Sequence, residues 1–313
     1  MRFLILLGVL LVPLAYLDGA GLLPVIQAVL PVVGLLGLLV ALLSVLTRDA
    51  PGTVVAVAAS LALLVPVLPW APRAAVPAAQ AHGEDLRVVT INTEFGGADP
   101  DGIVAAVREH DADVLVLLEE TPQHWRALGA AGLRGLLPHA TGTVSDSAAG
   151  TVVATRDPAT CLDTTIACGR VVPAVRSADE PFTQVSLRLA GGTVLRGAHP
   201  FPPVGARAAT WHTSLQSLQR WVHDAHGHEP RLVVTGDLNA GPGHPAFRAI
   251  ADGLDQGPRA WPWQPTWPLG SLVPPFVQID HVLTRGFAVV DEATLRVPGT
   301  DHAGVRAHLR PTR

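Results

Sequence analysis

From residue 3 to residue 70 the chain is apolar almost without a break; beyond residue 86, short apolar runs alternate with polar caps and turns. The apolar third divides into stretches at 3–17, 22–46 and 53–70. A helix needs roughly 20 apolar residues to cross the hydrocarbon core of a bilayer. The second stretch exceeds that length and the third nearly meets it. The first is short and, with Arg2 ahead of it, also has the form of a signal peptide; the apolar spans behind it favour a first anchor helix. The pattern predicts about three transmembrane helices over residues 1–72, a Pro- and Ala-rich linker over 73–83 and a soluble domain over 84–313.

In the soluble part Leu86–Asn92 (LRVVTIN) has the β-branched, apolar character of a buried strand. Asp99-Pro100 supplies an N-cap and an N1 proline for a helix with Ile103, Val104 and Val107 on one face. Residues 113–118 (DVLVLL) predict a second buried strand, and Thr121-Pro122 caps another helix. Further strands are predicted at Thr151–Thr155, 182–189 and 193–199, the last two joined by a Gly191-Gly192 turn. The longest soluble helix falls at 207–225, with Trp211, Leu215, Leu218 and Val222 on one face. Strands at 231–236, 277–283 and 304–309 complete an α/β or α+β sandwich pattern.

Charge changes this picture in two ways. Arg2, Asp18, Arg48, Asp49 and Arg73 are the charged residues of the apolar third, and Arg2 with Arg48 falls on one side of a three-span arrangement. The positive-inside rule then places the soluble domain outside the plasma membrane. Three of 22 basic and two of 26 acidic residues lie in that third, which leaves 19 against 24, about −5, for the soluble part. With no lysine and no basic run, it lacks the stripe that tracks duplex phosphates, so long nucleic acid is disfavoured as a partner. No protein partner is evident. Cys161 and Cys168 are a poor zinc pattern; in an oxidising compartment they would close a small disulfide loop.

Polar residues gather where the buried strands end: Asn92 and Glu94, Glu119 and Glu120, His199, Asp237 and Asn239, Asp280-His281, Asp301-His302. Strand ends on one rim of a sheet converge in space. Carboxylates, histidines and amides in one cleft suit an oxygen-ligated divalent cation, and Cys ligands for structural zinc are missing. A second histidine group, His223, His226 and His228, closes the long helix, where a solvated helix end is the default reading. Trp261, Trp263, Trp267 and Phe276 are read mostly as packing, with an aromatic wall beside the cleft as the sharper alternative.

The order Asn92 (TIN), Glu119 (LVLLEE), His199 (AHP), Asp237 and Asn239 (GDLN), Asp280 (IDHVL) and Asp301-His302 (TDH) resembles the endonuclease/exonuclease/phosphatase superfamily, with its DNase I-like fold. The QPTWP segment at 264–268 looks like a loop of its membrane-anchored bacterial members. The resemblance implies a four-layer α/β sandwich, two stacked mixed sheets flanked by helices. It also implies a phosphoric ester hydrolase in which Glu119, helped by Asn92, Glu94 and Asp301, holds Mg²⁺, with Mn²⁺ as alternative. Asp237 would orient or deprotonate the attacking water, and Asn239 would bond a phosphoryl oxygen. His302, held by Asp280, would stabilise the transition state, while His199 contacts phosphate or assists the leaving group. Asn92 and Trp267 are the candidate substrate contacts, and the substrate a phosphomonoester or phosphodiester; the anchor, which places the cleft near headgroups, makes a lipid-linked or envelope phosphate the first expectation, with an extracytoplasmic endonuclease or exonuclease and a catalytically silent membrane-tethered ligand-binding domain as the alternatives. Leu118 stands where the family commonly has Gln, and Thr300 where Ser is commoner. Of the neighbours Glu119 and Glu120, the strand count favours Glu119 as the cleft residue, since one residue's shift on a strand reverses the face.

Overall fold

The computed structural model describes residues 2–68, 85–163, 166–174, 181–256 and 264–312. The linker at 73–83, and with it Trp261 and Trp263, lies outside the described residues. The N-terminal third folds into α1 (Arg2–Leu11), α2 (Leu23–Leu46) and α3 (Ala50–Leu64), with 3-10 turns at Val12–Ala15 and Val65–Val67. Two segments, Leu23–Leu46 and Ala50–Val67, are long and apolar enough to cross a membrane. The expectation of about three crossings is therefore corrected to two candidates. Pro13, inside the turn after α1, has no N–H to continue the helix. The ten residues of α1 rise only about 15 Å, half a hydrocarbon core. Instead α1 packs Ile5 against Ala41 and Ala56 of the α2–α3 hairpin. That hairpin closes at Gly37, where a Cβ would come within 2.3 Å of Ser60 Oγ.

The remaining chain runs β1 (Leu86–Asn92), α4 (Pro100–Glu109), β2 (Val114–Leu118), α5 (Pro122–Ala130), α6 (Leu133–Leu136), β3 (His139–Val144), β4 (Thr151–Thr155), β5 (Thr160–Cys161) and β6 (Val171–Pro173). It continues β7 (Val185–Arg188), β8 (Val194–Gly197), α7 (Ala208–Arg220), β9 (Leu232–Asp237), α8 (Pro245–Ala251), β10 (Asp280–Arg285), β11 (Phe287–Leu295) and β12 (Gly304–Pro311). Asp99 Oδ2 accepts from Gly102 N and Thr121 Oγ1 from His124 N, so both predicted N-caps form. The strands make a seven-stranded sheet, β11-β12-β1-β2-β4-β3-β6, and a five-stranded sheet, β10-β9-β8-β7-β5. Both are mixed: β1–β2 and β8–β9 are parallel, β1–β12 and β9–β10 antiparallel.

Alternation along the strands sorts the apolar side chains into three cores. Val88, Val116, Leu118, Leu195, Val233 and Val282 fill the space between the sheets. Val89, Ile91, Leu115 and Leu117 face the other way, onto Ile103, Val107, Leu128 and Leu133 of α4–α6. Val194, Leu232, Val234 and Leu283 pack on Trp211, Leu215, Phe247 and Ile250 of α7 and α8. Each such fully buried side chain contributes about 1.5–3 kcal/mol relative to exposure. The result is helices, sheet, sheet, helices. β10 starts at Asp280 because Val277 is engaged elsewhere, its carbonyl accepting from the backbone N–H groups of Thr266 and Trp267. Cys161 and Cys168 are disulfide-bonded, closing a loop beside β5.

Candidate active site

Strand register delivers the polar residues to one rim of both sheets. β1 and β2 run parallel with Asn92 opposite Leu118, so Asn92 and Glu119 leave the sheet side by side. Across the second sheet Asp237, the last residue of β9, pairs directly with Asp280, the first of antiparallel β10. β8 runs parallel to β9 and leads into His199. β12 returns antiparallel along β1, Val305 opposite Thr90, which brings Asp301 and His302 to the same edge.

Asn92 ties the two sheets together. Its Nδ2 donates to Glu119 Oε1 (3.3 Å) and to Asp237 Oδ2 (3.0 Å), while its Oδ1 accepts from Glu94 N (3.0 Å). His199 Nε2 lies 3.9 Å from Glu119 Oε1 and 3.8 Å from Asp237 Oδ2. His302 Nδ1 is 2.9 Å from Asp280 Oδ2, and its Nε2 is 3.8 Å from Asp237 Oδ2 and 3.7 Å from Asp301 Oδ1. Asp237 Oδ1 accepts from Asn239 N, and Asn239 Nδ2 donates to Pro200 O. Glu94 is exposed on the rim, with its Oε2 accepting from Asp301 N (2.7 Å). The Trp267 indole donates to Asp301 Oδ2 (2.8 Å), so it fixes that carboxylate from the side.

Several supporting groups have roles that the sequence alone does not show. Thr266 Oγ1 accepts from the N–H groups of Ile279 and Asp280, seating the start of β10. Thr300 Oγ1 donates to Asn92 O and accepts from His302 N. Gln184 bonds both backbone groups of His199, whose ring stacks on Phe182 at 4.7 Å. Trp211 donates to Asn239 O.

Glu119 and its neighbour part company. Glu119 turns into the cleft with φ of 57°, while Glu120 is wholly buried against His124 Nδ1 at 2.9 Å, whose Nε2 meets Ala98 O. His281 is buried between Ala240 O and the Phe247 ring, outside the cleft. The second histidine group splits: His223 bonds Ala249 O, while His226, tilted against Trp221, and His228 each lie about 4 Å from Glu229 Oε1 (3.9 and 4.0 Å).

Electrostatically the cleft is overloaded with negative charge. Burial raises the Glu119 carboxyl to about 6, the Asn92 hydrogen bond opposing and the Asp237 charge adding. Burial also raises Asp237. Burial lowers His199 to about 4, outweighing Asp237, so this ring is neutral at pH 7. Burial would lower His302 too, but the charges of Asp280 and Asp237 overcome it and hold the ring up at about 10. Around one cationic imidazole thus stand Glu119, Asp237, Asp280 and Asp301, and among the described residues no arginine bonds any of the four.

That excess is what a divalent cation offsets, so the donor set fits a hard metal ion. One atom each of Asp237, Asp280 and His302 lies within 4.8 Å of the others, and Asp280 Oδ1 is buried without a hydrogen-bond partner. A ring kept protonated by Asp280 has no lone pair to offer a metal, so this trio is better read as a charged relay. Glu119, largely buried but still reached by solvent at the cleft, is the stronger candidate to hold a metal.

A model of the endonuclease/exonuclease/phosphatase family matches residues 89–302. No curated protein matches the chain in sequence. Among solved structures, the chain resembles a conserved Enterococcus faecalis V583 protein of unknown function (15% identity, 72% of this chain and 100% of that one, TM-score 0.52). It also resembles D. rerio TDP2 complexed with single strand DNA product (14%, 72% and 99%, TM-score 0.54). A third likeness is to a mutant beta toxin from Staphylococcus aureus with bound magnesium ions (14%, 72% and 99%, TM-score 0.50). At such identities the likeness is one of fold.

Proposed function

The chain belongs to the endonuclease/exonuclease/phosphatase family, and from that premise we propose that it is a membrane-anchored, metal-dependent phosphoesterase. Its reaction is attack of water on a phosphomonoester or phosphodiester, with a lipid-linked or envelope phosphate as the first substrate class. The observation that carries this reading is the meeting of Asn92, Glu119, His199, Asp237 and the Asp280–His302 pair at one rim with an unbalanced negative charge.

Mg²⁺, or Mn²⁺, held by Glu119 with Asn92, Glu94 and Asp301 as neighbouring donors, would neutralise phosphoryl oxygens and a leaving oxygen. Asn92, with its Oδ1 engaged by Glu94 N, mainly orients the carboxylates. Asp237, whose proton affinity is raised by burial, takes a proton from the attacking water. His302 Nε2 presents a fixed positive N–H to a phosphoryl oxygen, its other nitrogen held by Asp280. Neutral His199 and Asn239 complete the oxygen contacts, and Trp267 keeps Asp301 in place.

Two features support the membrane and compartment part. α2 and α3 expose most of their leucines and valines instead of burying them as core helices would, and the Cys161–Cys168 bond suits an oxidising compartment. The acidic balance favours small or lipid-borne esters over long nucleic acid. The test is release of nitrophenol from soluble phosphate esters by the full chain. It should require Mg²⁺ or Mn²⁺ and vanish in Asp237→Ala; metal-independent turnover, or an active Asp237→Ala, would overturn the reading.

A further inference from the structure

Beyond the N-terminal third, the exposed large hydrophobic side chains among the described residues are Phe95, Val204, Leu272 and Val273, each more than half exposed. They come from three loops, and each loop is tied to the candidate site. Phe95 N donates to Glu119 Oε2. Val204 follows Pro200, whose carbonyl holds Asn239. Leu272 and Val273 lie between Trp267, bonded to Asp301, and Phe276. Single exposed apolar residues are ordinary, but a set gathered around one cleft marks a surface that meets something apolar.

The same side of the domain rests on the anchor. His244 Nε2 is 3.0 Å from Pro24 O at the start of α2, Arg248 donates to Ala15 O, and His212 on α7 meets Asp18. Phe276 and Val277 line a small cleft together with Gln27, Pro31 and Val67 of the anchor. Leu272 is four residues from Phe276, at most about 14 Å of chain. With α2 and α3 as membrane spans, the reading given above and on which this inference rests, the loop carrying Leu272 and Val273 starts beside the end of the anchor.

We propose that the loops at 94–96, 201–205 and 269–275 form an apolar collar that enters the leaflet holding the anchor, so that the cleft takes its phosphate ester from the bilayer and leaves the ester's apolar tail in lipid. None of the three segments contains a basic residue, so docking works by apolar burial and is indifferent to anionic lipid.

The test uses the full chain in phosphatidylcholine vesicles. The native cysteines are disulfide-bonded, so Leu272→Cys accepts a polarity-sensitive fluorophore alone. Gly191→Cys, on the turn between β7 and β8 at the opposite end of the sandwich, is the control. The label at 272 should be blue-shifted and quenched by lipids spin-labelled near the headgroup, equally with or without anionic lipid, while the label at 191 stays in water. Identical aqueous spectra at both positions would overturn the collar.

A second arm compares a soluble nitrophenyl ester with phosphatidic acid and phosphatidylglycerol in the vesicles. Leu272→Glu with Val273→Glu should leave the soluble ester within about twofold and lower lipid hydrolysis about tenfold or more. Equal effects on both, or wild-type turnover of the soluble ester or DNA but of neither lipid, would overturn the lipid assignment. A wild type inactive on every ester sinks the phosphoesterase reading itself, and the label then decides the collar alone.

Discussion

Glu119→Gln keeps the shape of the side chain and removes its charge, which separates the stability of the cleft from its affinity for metal. The folded-state pKa of Glu119 is raised from 4.5 to about 6, chiefly by burial. A carboxyl whose folded pKa is raised binds its proton more tightly in the native state, so stability falls as pH rises from 4.5 through about 6. Above that window the ionised group costs roughly 2 kcal/mol. Gln removes that cost but has only one oxygen for the two donors now served, Asn92 Nδ2 and Phe95 N, and losing one such bond costs about 1 kcal/mol. The net expectation at pH 7.5 in EDTA is a gain of about 1 kcal/mol, or about 3 °C in Tm for a domain of this size. With Mg²⁺ at a hundred times its Kd the wild type should gain about 2.7 kcal/mol by mass action, and the variant nothing. Melting the full chain in detergent with EDTA and with Mg²⁺ should therefore show the order of stabilities reversing. A variant several degrees less stable in EDTA would refute the burial argument. One that keeps the wild-type response to Mg²⁺ would refute Glu119 as the metal-binding group.

Two further expectations follow from the same geometry. Asp280→Asn should drop the His302 pKa, held up at about 10 by Asp280 and Asp237 against burial, so that the ring is neutral at pH 8 by imidazole NMR and turnover falls by about 10²-fold or more. Because a raised His pKa adds stability below 6.5 that is lost as pH rises through about 10, the variant should also flatten that part of the stability profile; an unchanged ring titration would refute the pairing. Gly236→Ala would put a Cβ 2.1 Å from Ala198 O at φ of 142°, so it should destabilise by about 3 kcal/mol or more, and a melt unchanged within a degree would contradict that packing.

Where burial is uniform, the chain could be read directly. Leu86–Asn92 and Thr151–Thr155 are the strands expected from their β-branched runs, because both their faces are covered. The strand ends that carry GDLN, IDHVL and TDH meet because parallel and antiparallel neighbours bring them to one edge. β11 was not legible: it lies at a sheet edge, has a register shift between Val289 and Asp291, and mixes buried with exposed positions. β3 (HATGTV) hides behind Thr and Gly, and β6 has three residues at the opposite edge. The apolar stretch at 3–17 suggests a third crossing because an apolar count does not register the break at Pro13. The roles of the Thr266 and Thr300 hydroxyls could not be read, since their work is to hold backbone groups whose positions depend on the fold.

Backbone strain explains why the cleft depends on its own carboxylates. Of the six non-glycine residues with positive φ among the described residues, four belong to the site, Glu94 (48°), Phe95 (54°), Glu119 (57°) and Asn239 (48°), and two, Arg48 and Asp111, lie elsewhere. Sparsely populated conformations of this kind cost of order 1 kcal/mol each and persist only where surrounding bonds enforce them. Here those bonds end on the functional side chains: Glu119 Oε2 accepts from Phe95 N, Asn92 Oδ1 from Glu94 N and Asp237 Oδ1 from Asn239 N. The groups proposed to serve metal and water therefore also clamp the loops that present them. Alanine at Glu119 would release Phe95 together with the charge and confound two effects. Glutamine retains one acceptor and most of the clamp, which makes it the substitution that isolates the electrostatics.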